Sequence, residues 1–280
     1  MPILQISEEL SSDIAAKCEK IKPCHQNDID RFLQTDRSFQ TVYLNSKKLL
    51  DKSLFILIKN IGFNKEKAIF EAFVKLFGQF YGAVEYTNIK MDCSYTGCKH
   101  DLIELHNDDA IDLKNQPKNG FIQVVNEDPL KLAKNGLVKI DDIVNYLEIY
   151  DKAFLDELFN QKIPMLAYGV NYDGDSKEEI IINQPILYKE NNENRVRFDL
   201  TRINHYYWKK EEIQSIKERL LIDKFLNIAK KFRREFYLEK GDILICHNKR
   251  TLHDRTECSF RLNSDGSFDT REIFVSFTRE

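Results

Sequence analysis

The chain has 280 residues, and its 42 Lys and Arg against 45 Asp and Glu leave a net charge of −3. That balance excludes the clustered basic stripe of a nucleic-acid surface, and 19 Phe with 12 Tyr exclude a disordered polymer. No apolar run approaches the length of a membrane span, and MPILQISEEL lacks the basic-then-apolar order of a leader, so a soluble cytoplasmic protein is expected.

Ser7-Glu8-Glu9 opens an amphipathic stretch with Leu10, Ile14, Cys18 and Ile21 on one side, which predicts a helix capped by Ser7. A second short helix is expected over Asn27–Leu33. Ser53–Ile61, a dense run of Ile and Leu, predicts a buried strand. Gly62 ends it, and Asn64 is read as the cap of a helix over KEKAIFEAFVKLFGQF. Strands are expected at Ala83–Met91, Leu102–His106 and Phe121–Asn126, with Cys93–His100 as a loop. Helices are expected over Lys139–Tyr150 and Lys152–Phe159.

From Pro164 the pattern returns to strands, MLAYGV, IIINQPILY and VRFDLTRI, separated by the turn-rich YDGDS and ENNEN. Glu211–Phe236 reads as the longest helical stretch, with Ile213, Ile216, Leu220, Phe225, Ile228 and Phe232 on one side. Two strands follow, and REIFVSF closes the chain. No repeat or Pro/Gly/Ser linker divides it, so residues 1–280 are read as one domain, with 1–50 a helical extension. The six cysteines are spread widely and are expected as reduced thiols. Cys93, Cys98 and His100 lack a second ligand pair, so no zinc site is expected there.

The chemistry-bearing residues gather at two distant places. His106 and Asp108 are two apart at a strand end, where residues i and i+2 point the same way. His253, beyond the strand Ile243–Cys246 and an Asn-Lys-Arg turn, is the best third ligand. Two histidines and one carboxylate on one face leave positions open on an octahedral metal, the arrangement of Fe(II) oxygenases that bind a co-substrate and O2. A strand histidine satisfied by its neighbours is the competing reading of His106. On the last strand, Arg271 shares a face with Ile273, Val275 and Phe277. A cation there needs an anion, either a core carboxylate or a dicarboxylate co-substrate gripped by the guanidinium fork.

Gly241–Arg255 (GDILICHNKRTLHDR) resembles the GDLLIFDNRRVLHGR signature of the clavaminate synthase-like and taurine dioxygenase-like Fe(II)/2-oxoglutarate oxygenases. Glu104–Ala110 (ELHNDDA) is similar to the ELHTEDAF stretch of the clavaminate synthase branch. SLFILIKNIGFNKEKAIFEAFVKLFG also resembles the opening strand and helix of that family, so the likeness runs from about residue 50 in the right order.

The resemblance implies an α+β fold with a mainly β core, a double-stranded β-helix (jelly-roll) barrel with flanking helices on which residues 1–50 pack. It implies His106, Asp108 and His253 as iron ligands and Arg271 as the holder of the distal carboxylate of 2-oxoglutarate. Arg261 competes with Arg271 but precedes the Asn-Ser-Asp-Gly turn. Arg255 matches the arginine after the distal histidine and is read as a structural or co-substrate neighbour. Val138 falls where the family has a co-substrate-contacting threonine, a loss of about 0.5–1.5 kcal/mol. Asp254 replaces the usual glycine and is expected either to face solvent or to meet a cationic substrate group. Asp108 stands where the branch commonly has Glu, and a carboxylate there argues against a halogenase.

The implied reaction is oxidative decarboxylation of 2-oxoglutarate with O2 and Fe(II), coupled to hydroxylation of an unactivated C–H bond. The implied substrate is an amino acid or amino-acid-like small molecule. Asp199 and Arg202 in VRFDLTR, with Asp109 and Asp254, are the candidate substrate contacts, an ordinary surface pair being the alternative for Asp199 and Arg202. Desaturation, cyclisation or a decarboxylating oxidation would use the same cofactors. The rival from another class is a jelly roll that only binds. No nucleic-acid or membrane partner is expected.

Overall fold

The structure, a computed structural model, describes residues 2–21, 25–62, 66–90, 97–111, 116–168 and 179–279. The expected Asn64 cap, the first half of the Cys93–His100 loop and the YDGDS turn lie outside the described residues.

Strand β1 (Ile3–Gln5) leads into α1 (Glu8–Lys20), where the Ser7 hydroxyl accepts from the Leu10 N–H and Glu8 and Glu9 favour the positive end of the helix. Helix α2 (Gln26–Thr35) follows. Helix α3 (Arg37–Ser53) is capped by Asp36, which accepts from the N–H groups of Ser38 and Phe39. This helix was not anticipated. Its buried stripe is Phe39, Val42, Ser46 and Leu50, and the serine inside the stripe hides the helical period. Leu54, left-handed at φ 66°, ends it and turns the chain into β2 (Phe55–Lys59).

Next come α4 (Lys67–Lys75), β3 (Gln79–Asn88), β4 (Ile103–His106), β5 (Asn119–Asn126), β6 (Asn135–Lys139), α5 (Ile140–Tyr150) and α6 (Lys152–Asn160). The chain continues through β7 (Lys162–Tyr168), β8 (Glu179–Pro185), β9 (Leu187–Glu190), β10 (Glu193–Val196), α7 (Leu200–Lys210) and α8 (Ile216–Phe232). It closes with β11 (Arg234–Phe236), β12 (Ile243–His247), β13 (Thr251–Arg255), the hairpin β14 (Arg261–Leu262) and β15 (Phe268–Asp269), and β16 (Glu272–Arg279).

Two expectations are corrected. VRFDLTRI is not a strand: β10 ends at Val196, and Asp199 accepts from the Arg202 N–H to start α7. The Asp cap outweighs an alternation only a few residues long. The stretch Glu211–Phe236 shortens to α8, opened by a Ser215–Glu218 capping box. Ile213, Ile216 and Leu220 are 91, 78 and 63 % exposed, so the first part of that apolar stripe meets no core.

Six strands form one sheet in the order β1-β2-β12-β5-β16-β3, and four form a second in the order β11-β6-β13-β4. The two sheets are not hydrogen-bonded into a closed barrel among the described residues. β1 runs parallel to β2, so the first fifty residues contribute an edge strand as well as helices. On the large sheet, Ile56, Ile58, Phe121, Ile243, Ile245 and Phe274 face α1 to α4. Phe55, Leu57, Val124, Leu244 and Ile273 face the other way and meet Leu137 of the small sheet. Val138 and Leu252 on the far side of the small sheet pack with α5, α6 and α8. The order is therefore helices, sheet, sheet, helices, each fully buried Leu, Ile or Phe contributing about 1.5–3 kcal/mol.

Among the described residues no helix is long and apolar enough to cross a membrane. Cys18, Cys246 and Cys258 are free and buried. Cys98 is disulfide-bonded, so the expectation of reduced thiols throughout does not hold for it.

Candidate functional site

The antiparallel ladder of β4 and β13 sets His106 opposite His253, so both rings leave the same face, with centroids 4.3 Å apart. Asp108 lies beyond the end of β4, in a turn whose next residue, Asp109, has φ +47°. Its Oδ2 is 3.3 Å from His253 Nε2 and its Oδ1 is 3.9 Å from His106 Nε2. The three side chains thus offer one donor atom each, all within 4.8 Å of one another.

The Nδ1 of His106 lies 2.8 Å from the Glu104 carbonyl, which can only accept, so the ring proton sits there and the Nε2 lone pair faces the cluster. Burial pushes the Asp108 carboxyl upward, opposed by His106, with Asp199 adding to the rise and Arg202 opposing it. Burial also drives His253 well below its ordinary value, and His106 adds to that. The Asp108 side chain keeps 29 % of its surface accessible, but it opens into a cavity, which leaves desolvation in charge. Two imidazoles and a carboxylate that each turn a donor atom to one point are the donor set a divalent cation needs. The residues fit such an ion.

The cavity, about 400 Å³, lies between the two sheets. Ile273, Val275 and Phe277 line it together with Arg271, as the alternation on the last strand predicts. Arg271 is 4 % exposed and donates from Nη2 to Asn135 Oδ1 at 3.1 Å. No carboxylate forms an ion pair with it among the described residues, and burial lowers its pKa from the ordinary arginine value. A buried guanidinium in this state calls for an anionic ligand. Arg261 stays on the exposed hairpin, paired with Asp269.

Arg255 also lines the cavity, but its guanidinium is tied to the chain: Nη2 donates to the Lys99 and Asp101 carbonyls at 2.6 and 3.0 Å, and Nη1 contacts Cys258 Sγ. Val138 is a correction. Along β6, Asn135 and Leu137 pair with Arg255 and His253 and face inward, whereas Val138 pairs with Leu252 and packs against the helices. Asn135 is the β6 side chain that reaches the cavity, and strict period-2 reading of that strand would have identified it.

Asp254 is a second correction. Its side chain is 7 % exposed rather than solvent-facing, and both of its oxygens accept from Arg233, Oδ2 from Nε at 2.6 Å and Oδ1 from Nη2 at 2.9 Å. A Cβ at the facing Gly136 would collide with this ion pair, so the glycine is what lets the pair form. Arg233 comes from the end of α8, which nothing near Asp254 in sequence foretells.

At the cavity wall, Arg202 Nε donates to Asp199 Oδ2 at 3.0 Å, and Arg202 Nη2 is 3.8 Å from Asp109 Oδ1. Tyr81 donates its hydroxyl to Asp109 at 2.9 Å. Asp199 forms a β-bridge with His106, so these three charged residues stand beside the two-histidine cluster. They arrive on the first turn of α7 and on the turn after β4. Asn107, fully buried between the two ligand candidates, accepts from the Phe198 N–H at 2.8 Å and donates to the Val196 carbonyl at 3.3 Å. Asn248 reaches Asp108 in a similar way. The sequence places Asn248 ahead of Arg250 and His253 but gives neither asparagine a role, since an Asn between functional residues carries no distinct signal.

No protein-family model matches the sequence, and no curated protein matches it. Solved structures do. One is an asparagine oxygenase in complex with Fe(II), 2S,3S-3-hydroxyasparagine and succinate, with a TM-score of 0.70 and 16 % identity over 100 % of this chain and 94 % of that one. Another is the non-heme iron oxygenase OrfP in complex with Fe, succinate and (3S)-hydroxy-L-Arg, with a TM-score of 0.74 and 15 % identity, covering 100 and 94 %. A third is OrfP with Fe and alpha-ketoglutaric acid, with a TM-score of 0.70 and 15 % identity, again covering 100 and 94 %. The chain has the fold of these oxygenases over its whole length.

Proposed function

We propose that the protein is an Fe(II)- and 2-oxoglutarate-dependent dioxygenase that hydroxylates an unactivated C–H bond of an amino acid or amino-acid-like small molecule. The observation that carries this reading is the convergence of His106, Asp108 and His253 in one cavity with the buried Arg271, which has no carboxylate partner among the described residues. The full-length likeness to oxygenases whose structures hold Fe(II), alpha-ketoglutaric acid and hydroxylated amino acids supports it. In this reading the two facing sheets are the halves of a double-stranded β-helix, and residues 1–280 form one domain.

His106, Asp108 and His253 would hold the iron, which when bound supplies the activation of O2 and the oxidative decarboxylation of 2-oxoglutarate to succinate and CO2. Arg271, steadied by Asn135, grips the distal carboxylate of the co-substrate bidentately. The apolar wall of Ile273, Val275 and Phe277 excludes water from the reacting centre. Arg255 holds the 99–101 backbone over the cavity rather than binding the co-substrate itself. Asp199 and Asp109 receive the substrate ammonium, and Arg202, whose side chain is 29 % exposed, receives its carboxylate.

The test is a panel of amino acids incubated with the protein, Fe(II), 2-oxoglutarate and air, read by mass spectrometry. One amino acid gaining a single oxygen atom in step with succinate is the expected result. No product and no consumption of 2-oxoglutarate with any member of the panel would overturn the reading.

A further inference from the structure

We propose that Asn248 is a positioning residue for the iron ligand Asp108, acting through the backbone of Asp108 rather than on its carboxylate; this rests on the iron reading above. Asn248 is fully buried on the turn that joins β12 to β13. Its Oδ1 accepts from the Asp108 N–H at 2.9 Å, and its Nδ2 donates to the Asp108 carbonyl at 2.9 Å and to the Pro117 carbonyl at 3.2 Å. Its own N–H donates to the Lys118 carbonyl at 2.8 Å.

Asp108 needs such a holder. It lies two residues past the end of β4 and precedes a residue of positive φ, so no strand ladder fixes where its side chain aims. A two-point bond to the N–H and the carbonyl of one residue fixes the orientation of that residue, where a single bond would leave a hinge. It also engages the Asp108 N–H, removing a local partner to which an aspartate carboxylate readily turns back. The carboxylate is left facing the two imidazoles.

The same turn runs on to His253, so one side chain ties the His106–Asp108 segment to the strand carrying the third ligand. Asparagine suits the task because it offers an acceptor and two donors at short reach. Aspartate keeps the acceptor alone, and leucine keeps the shape with neither.

Co(II), followed by its visible absorption, is the probe, because it reports the metal affinity of folded protein without turnover. Wild type, Asn248→Asp and Asn248→Leu are titrated alongside Asn60→Ala, which breaks the Asn60 contacts with Ser11 and Ile6 in the distant helical layer. Asn248→Leu is expected to bind Co(II) about 10–100-fold more weakly, and Asn248→Asp by an intermediate factor. Asn60→Ala is expected to melt earlier with unchanged Co(II) affinity. If Asn248→Leu does not fold, Asn248→Asp decides. Wild-type Co(II) affinity in the folded Asn248 variants, whatever their melting temperature, would overturn the proposal and leave the iron reading standing. A wild type whose Co(II) spectrum survives His253→Ala would overturn the iron reading itself, and the proposal with it.

Discussion

The Nε2 of His253 on β13 stands 3.3 Å from Oδ2 of Asp108, a residue from the first half of the chain that follows the neighbouring strand β4. Asp108 also faces His106 Nε2 at 3.9 Å, and burial raises the Asp108 carboxyl and lowers His253, so the three groups converge without a structural cation among them. Removing either should therefore abolish metal binding without removing a structural contact. His253→Ala and Asp108→Ala are expected to keep the wild-type circular dichroism spectrum and to lose tight Fe(II) binding in an anaerobic titration.

Arg271 carries the co-substrate half of the account. Arg271→Lys keeps a charge but loses the planar fork, and Arg271→Gln loses both. A lost charged hydrogen bond is worth about 1.5–3 kcal/mol, so KM for 2-oxoglutarate should rise about 10–100-fold in Arg271→Gln. Metal affinity should stay as in wild type. Asn135→Val should raise the same KM by a smaller factor, and Val138→Thr should leave it alone, since residue 138 faces the helices.

The buried pair of Asp254 and Arg233 is expected to act on the fold and to leave the chemistry alone, since both carboxylate oxygens are held by Arg233. Arg233→Met leaves the carboxylate stranded, and its removal should cost about 3 kcal/mol in a denaturant titration. Gly136→Ala should cost a comparable amount by driving the pair apart. Replacing both partners with apolar residues should recover part of the loss, and the folded variants should keep wild-type kcat.

His247 provides a pH handle away from the metal ligands. Burial, with Arg195 and Arg250 nearby, drives its pKa down to about 3, far below the unfolded value of about 6.5. The unfolded chain therefore binds this proton more readily, and the contribution of the neutral ring is complete above about pH 6.5. It falls by roughly 1 kcal/mol per pH unit below that, continuing toward pH 3. His247→Gln, whose amide oxygen can still accept from Arg195, should show a flatter decline of Tm between pH 6.5 and 5 than wild type.

The two distant stretches around His106 and His253 were legible because each ligand sits on or beside a strand whose period-2 pattern is plain in the sequence. The Arg271 face was legible for the same reason. Partners supplied from afar were not: Arg233 reaches Asp254 from the end of α8, and Asn248 reaches Asp108 across the whole middle of the chain. Helix α7 was misread because VRFDLTRI alternates well enough for a strand, and only its cap, Asp199, argues otherwise. The family motif points to Val138, whereas the alternation of the strand itself points to Asn135.

The most direct measurement is succinate formed from 2-oxoglutarate by the Fe(II)-loaded wild type and by His253→Ala, each with and without the amino acid found in the panel. Succinate that requires Fe(II), rises with the amino acid in wild type and falls to background in His253→Ala is the predicted result. Equal succinate from both proteins, or none from wild type under any condition, would contradict the account.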